Sequence, residues 1–271
     1  VPTNKQRREQ AQRRLQRQLE RREQLARKRR RNLLIGVTVL AVLAVVGAFF
    51  IITGLADDGS DTTAAPSSSA PSSATAAPAG QTTVAGPCTY TTDGTPSAGV
   101  AVTPPSGDIA TTGTLALTMA TNVGDIGLTL DRAAAPCAAA SFEALSKQGY
   151  FDNTPCHRET SSESLKVLQC GDPSGQGTGG PGYTFPTQVT GSETYPRGTV
   201  AMANSSQGTD GSQFFLVYGD SQLQPDYTVV GRIDDTGLAV LDEIAATGIA
   251  NSASDGAPAQ PVTITAMTPA A

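Results

Sequence analysis

LALTMATNVGDIGLTL, residues 115–130, decides the fold class. Leu115, Leu117 and Met119 alternate with small or polar residues, and Ile126, Leu128 and Leu130 do the same beyond a Gly124-Asp125 turn. Successive side chains of a strand point to opposite faces, so each apolar set shares one face and the stretch reads as a hairpin. Working outward, further strands are expected around 156–158, 167–169, 199–203, 213–217, 228–233 and 262–266. Two segments change period. Ala138, Phe142 and Leu145 follow a helical repeat between Pro136 and Gly149, and Leu238, Leu241, Ile244 and Ala245 do so before Gly248. The count predicts a mainly β fold, a closed eight-stranded antiparallel β-barrel capped by two helices.

Upstream of this domain the composition changes three times. The chain has 271 residues and a formal net charge of -5, but the charge is unevenly spread. Residues 1–32 hold 13 Lys and Arg against three Glu, a net of +10, which leaves -15 for the remainder. Leu33 to Ala56 is a 24-residue run without a charge. At about 1.5 Å per residue it reaches roughly 36 Å, enough to cross a hydrocarbon core of about 30 Å. It exceeds the roughly 7–15 apolar residues of a signal peptide. Arg27 to Arg31 abut it on one side, and Asp57, Asp58 and Asp61 follow on the other. The positive-inside rule therefore predicts a single-pass anchor at 33–56, a cytoplasmic 1–32 and an extracytoplasmic 88–271, so the expected location is the cell membrane. The basic segment is then a topology signal facing anionic lipid, and no nucleic-acid partner is expected. Residues 57–87, dominated by Ser, Thr, Ala, Pro and Gly with no aromatic, read as a disordered tether.

Composition also excludes chemistries. A single histidine, His157, cannot build a multi-His metal site, and the four cysteines lack zinc-ligand spacing. No metal and no cofactor are expected. Gly175 to Gly180 matches GxGxxG, but Pro181 and Gly182 follow, so no helix N-terminus is available for a pyrophosphate; a glycine-rich surface loop is the reading. No GxSxG elbow accompanies His157, which argues against a serine hydrolase. Arg158 stands out, because 88–271 contains just six basic residues, Arg132, Lys147, Arg158, Lys166, Arg197 and Arg232. Its plainest role is a surface ion pair, with Glu159 as the nearest acid in sequence.

Six segments then narrow the reading: GDIGLTLDRAAAP (124–136), SFEALSKQGYFDNTPCHR (141–158), VLQCGDPSGQGTGGPGY (167–183), YPRGTVAMANS (195–205), GTDGSQFFLVYGD (208–220) and YTVVGRI (227–233). In this order and spacing they resemble the cyclophilin family of peptidyl-prolyl cis-trans isomerases over about 160 residues, roughly 110–270. The whole layout is similar to membrane-anchored actinobacterial members. The resemblance implies Arg158 as catalytic residue, with His157 beside it. It implies Gln169, Ala203, Asn204 and Gln213 as contacts to substrate backbone, with Ser205 completing the strand. Val167, Phe215, Leu223 and Tyr227 would line or rim the proline pocket, and Gly177 would border the adjacent groove. Departures are the long polar loop ETSSESLKVL (159–168), Val167 in place of a usual Met, and a missing rim Trp with Gln222 nearby.

If the barrel is right, Cys156 and Cys170 lie on neighbouring strands and would pair, and Cys88 would pin a 22-residue extension (88–109) to Cys137. Three connectivities, or four free thiols, remain open from sequence. The resemblance implies isomerisation of X-Pro bonds in extracytoplasmic polypeptides by a monomer. The alternatives are a proline-peptide binding module or chaperone with weak or no catalysis, favoured by the altered loop after Arg158, and a structural envelope protein.

Overall fold

A computed structural model describes residues 80–94, 96–97, 101–204 and 208–270. The basic segment 1–32, the apolar run 33–56 and residues 57–79 of the tether lie outside the described residues. No helix among the described residues is long and apolar enough to cross a membrane.

The hairpin read from 115–130 forms as β3 (Thr114–Thr121) and β4 (Asp125–Asp131), with Leu117 opposite Leu128 and Met119 opposite Ile126. The alternating set is buried throughout, as a one-sided sheet face requires. The helices are α1 (Pro136–Lys147) and α2 (Asp235–Thr247). Pro136 begins α1, where its missing N–H costs nothing, and the Asp234 carboxylate accepts from the Gly237 N–H to cap α2. The other strands are β1 (Thr82–Ala85), β2 (Cys88–Thr92), β5 (Thr154–Cys156), β6 (Arg158–Ser162), β7 (Leu165–Cys170), β8 (Tyr183–Pro186), β9 (Thr199–Asn204), β10 (Thr209–Gly219), β11 (Val229–Ile233), β12 (Asp255–Gly256) and β13 (Val262–Pro269).

Three features correct the sequence reading. The described residues hold thirteen strands, and their ladder is not a closed eight-stranded ring. It runs β1-β2-β8-β10-β9-β11-β4-β3-β13-β5, with β7, β6 and β12 branching from β10. The ring is interrupted at His157, where one extended segment changes neighbours: β5 pairs with β13, and β6 pairs with β7. The Cys156–Cys170 disulfide bridges this interruption covalently. Second, β1 lies inside the stretch read as tether and pairs in register with β2 (Val84 opposite Thr89). Composition hid it because its stability comes from its partner strand and not from its own side chains; Val84 is exposed. Third, Arg158 does not pair with Glu159. Neighbours on a strand face opposite ways, and Glu159 turns into the interior.

All four cysteines are paired, as Cys88–Cys137 and Cys156–Cys170. The first ties β2 to α1, and Tyr90 beside it is fully buried, edge-on to Tyr183 and Phe185, with its hydroxyl donating to the Cys137 carbonyl at 2.9 Å. The extension is thus part of the core. The Cys88–Cys137 bridge closes a 49-residue separation, and chain entropy assigns it about 4 kcal/mol. Replacing both by Ser should lower the denaturant midpoint accordingly. An unchanged midpoint would mean that strand pairing and Tyr90 alone hold the extension.

Candidate active site

The site is a row of residues set by strand register. Across β6, β7, β10, β9 and β11 the partners are Arg158 opposite Gln169, Gln169 opposite Phe215, Phe215 opposite Ala201, and Ala201 opposite Val229. Directly paired residues share a face, so one row spans five strands. The opposite face belongs to the main core, with Leu168, Phe214, Leu216, Val200 and Met202 fully buried. The Gln213-Phe214-Phe215-Leu216 run therefore serves two clusters, odd positions for the site and even positions for the core.

The second cluster is the apolar part of the site. Val167, Tyr195, Ala201, Phe215 and Val217 are buried in it, and Leu165, Ala203, Leu223, Tyr227 and Val229 pack against them. Phe215 and Tyr227 meet edge to face at 5.5 Å. Val167, Phe215, Leu223 and Tyr227 are therefore brought together as the sequence implied. Tyr195 was missed. Its hydroxyl donates to the Tyr227 carbonyl and accepts from the Tyr227 N–H, both at 3.0 Å, which fixes the loop that carries Tyr227. The segment YPRGTV offered a signal, since a buried tyrosine needs a partner for its hydroxyl.

The polar part is a directed chain of hydrogen bonds. Arg158 Nη1 donates to Gln169 Oε1 at 3.2 Å, Gln169 Nε2 donates to Gln213 Oε1 at 2.9 Å, and Gln213 Nε2 donates to the Gly179 carbonyl at 2.9 Å. Each link sets the orientation of the next amide. Gln169, Gly177, Gly179, Ala203, Asn204 and Gln213 line a cleft of about 490 Å³. Asn204 Nδ2 donates to the Asp226 carbonyl at 2.8 Å, and Ser205 lies outside the described residues.

Asp172 holds the glycine loop that forms one wall. It is fully buried and accepts from the Ser174 N–H and hydroxyl, the Thr178 N–H and the Gly179 N–H, at 2.7 to 3.1 Å. Burial opposes its charge, but these donors outweigh it and keep the carboxyl below its ordinary range. A side chain at Gly179 would collide with this carboxylate, which explains the glycine. His157 lies beside Gly177, and neither ring nitrogen has a hydrogen-bond partner among the described residues. Burial lowers its pKa, Asp172 opposes the fall and Arg158 adds to it, so the ring is neutral at neutral pH.

Arg158 is half-exposed at the end of the row. Its Nε and Nη2 donate to the two carboxylate oxygens of Asp255, each at 2.8 Å. The hydrogen bond to Asp255 raises the guanidinium pKa further, so Arg158 is a permanent cation and donor. The arrangement thus offers an apolar slot, a row of side-chain amides and one cationic donor at the end of the row. It holds no activated nucleophile: the four cysteines are oxidised and His157 has no acid or hydroxyl bonded to it.

The family model for cyclophilin-type peptidyl-prolyl cis-trans isomerases matches residues 116–269, more than half of the chain, and the chain belongs to that family. Its similarity to the probable peptidyl-prolyl cis-trans isomerase B of Mycobacterium leprae is 53% identity over 57% of this chain and 56% of that one. The corresponding Mycobacterium tuberculosis protein is 48% identical over 56% and 54%. The chain thus spans about half the length of the curated relatives it matches. A cyclophilin-type isomerase of Cryptosporidium parvum, solved by crystallography, is 29% identical with a TM-score of 0.52, covering 59% of this chain and 99% of that one. The same protein was also crystallised in the presence of the dipeptide Ala-Pro.

Behind the row, Glu159 is fully buried and neither carboxylate oxygen has a hydrogen-bond partner among the described residues. Burial pushes its carboxyl up to about 7. Burial likewise pushes Asp210 up to about 6, against a hydrogen bond from Thr228. Both folded values exceed the unfolded ones, so the folded state retains protons that the unfolded chain has released. The contribution of these two groups to stability is therefore fully present below their unfolded pKa values and is lost as pH rises from about 4 to 7. Above pH 7, Glu159→Gln should be more stable than the parent by about 3 kcal/mol. Denaturant unfolding at pH 5 and pH 8 measures this, and equal pH dependence in both proteins would contradict it.

Proposed function

We propose that the domain is a peptidyl-prolyl cis-trans isomerase acting on X-Pro bonds of polypeptides, with Arg158 as the catalytic residue. The observation that carries this reading is the placement of a cationic donor and an apolar slot on one sheet face, with Arg158 opposite Gln169 and Gln169 opposite Phe215. Family membership and the crystallisation of the Cryptosporidium parvum relative in the presence of Ala-Pro support it.

The barrier to X-Pro rotation, about 18–20 kcal/mol, arises from amide resonance, and uncatalysed exchange takes roughly 10–100 s. Rotation localises the lone pair on a pyramidal prolyl nitrogen. The proline ring would occupy the slot of Val167, Phe215, Leu223 and Tyr227. Gln169, Asn204 and Gln213 would hold the flanking backbone, with Ala203, His157 and Gly177 completing the walls. A spare Arg158 N–H would donate to the prolyl nitrogen, a bond strongest in the twisted transition state and therefore one that raises kcat. A charge-assisted hydrogen bond contributes about 1.5–3 kcal/mol, one to two decades of rate, and desolvation in the slot strengthens it.

The same proposal places the domain outside the cell as a monomeric folding catalyst, anchored by 33–56 with 1–32 in the cytoplasm. Two disulfides support an oxidising location, and the charge asymmetry about the apolar run supports the orientation.

In a protease-coupled assay on an Ala-Ala-Pro-Phe-type peptide, Arg158→Ala should lower kcat/KM by at least a hundredfold with its circular dichroism unchanged. Full activity in that variant would end the assignment. Peptide binding by the parent protein without turnover would favour the binding-module reading.

A further inference from the structure

We propose that Asp255 is a positioning residue for Arg158, an inference that rests on Arg158 being the donor in the reaction above. The two parallel bonds from Nε and Nη2 to one carboxylate, each 2.8 Å, fix both the plane of the guanidinium and its rotation about the side-chain axis. A third N–H, on Nη1, goes to Gln169 Oε1. A guanidinium has five N–H groups, so one on Nη1 and one on Nη2 remain for a substrate. An arginine side chain otherwise has rotational freedom, and fixing it in advance removes an entropy cost from the transition state.

Asp255 is itself held by backbone and not by its side chain. Asp255 lies opposite Thr160 and Gly256 opposite Glu159, where β12 pairs with β6. The Ser161 N–H donates to the Ser254 carbonyl at 3.0 Å, the Ala250 N–H to the Ala257 carbonyl at 2.9 Å, and the Ala259 N–H to the Gly248 carbonyl at 2.8 Å. The segment 248–259 thus keeps its path when the carboxylate is removed. Its carboxylate adjoins the catalytic strand from a point 97 residues further along the chain. The Arg158 and Asp255 side chains are 38% and 57% exposed, so water competes for the pair and its share of folding stability is small. What the pair does control is direction: Asp255, Arg158 and His157 line a common cavity of about 440 Å³, beside Gln169.

The test measures kcat and KM separately, by NMR line shapes on an X-Pro peptide, together with Tm, for the full chain and for Asp255→Ala, Asp255→Asn, Asp255→Glu and Arg158→Ala. Misplacing a catalytic group by about 1 Å can cost on the order of a hundredfold. The expected result is a tenfold to hundredfold lower kcat in Asp255→Ala and Asp255→Asn, with KM within twofold and Tm unchanged. Asp255→Glu should recover most of the rate. An unchanged kcat in Asp255→Ala would overturn the proposal, as would a higher one, which would mean that the pair restrains Arg158. So would a loss that comes with a lower Tm and is not recovered by Glu. Arg158→Ala separates the two levels: if it keeps full activity, the catalytic reading fails; if it is inactive while Asp255→Ala is not, the positioning role alone fails.

Discussion

The site depends on the pairing of β7 with β10, which sets Gln169 opposite Phe215 and Val167 opposite Val217. A slip of one residue would turn Gln213 and Phe215 into the core and bring Ser212 and Phe214 to the site, because strand faces alternate. Two apolar clusters, one on each face of β10, resist that slip, since Phe214 and Phe215 are both buried but against different neighbours. The register is thus fixed by burial on both sides. The positions of Arg158, Gln169, Phe215 and Ala201 follow from it.

Around this row, the chain spends its buried polar groups on walls and supports. Asp172 collects amide donors from the glycine loop and holds the carbonyl of Gly179 where Gln213 meets it. Ser97, beyond β2, accepts from the Gly180 N–H and so joins the N-terminal extension to the same loop. The Cys88–Cys137 bridge and Tyr90 secure that extension at its other end. Cys156–Cys170 spans the interruption at His157, next to the row of Arg158 and Gln169. The loop is held by charge-assisted bonds to Asp172, and the extension and the interrupted strand each by a disulfide in addition to backbone pairing.

Much of this was legible in the sequence wherever one element reports its own environment. The hairpin at 115–130 shows its buried face through alternation, and α1 and α2 through apolar spacing with Pro136 and Gly248 as boundaries. The site residues followed from the resemblance, and the structure brings Arg158, Gln169, Gln213 and Phe215 together. What was not legible depends on partners distant in sequence. β1 carries no apolar pattern and exists because β2 offers a register. The ring opens at His157 because one strand divides between β13 and β7, and no residue nearby signals the change. Arg158 pairs with Asp255 and not with Glu159, since a strand neighbour faces the wrong way and the true partner arrives on β12.

The most direct measurement is exchange spectroscopy on an Ala-Pro peptide at equilibrium, with and without the protein and without any coupling protease. Cis and trans proline signals that exchange over roughly 10–100 s alone should show exchange cross-peaks within a fraction of a second when catalytic amounts of the protein are added. Shifted peptide signals with no exchange would show that the slot and its donor bind proline without turning it, and would contradict the account.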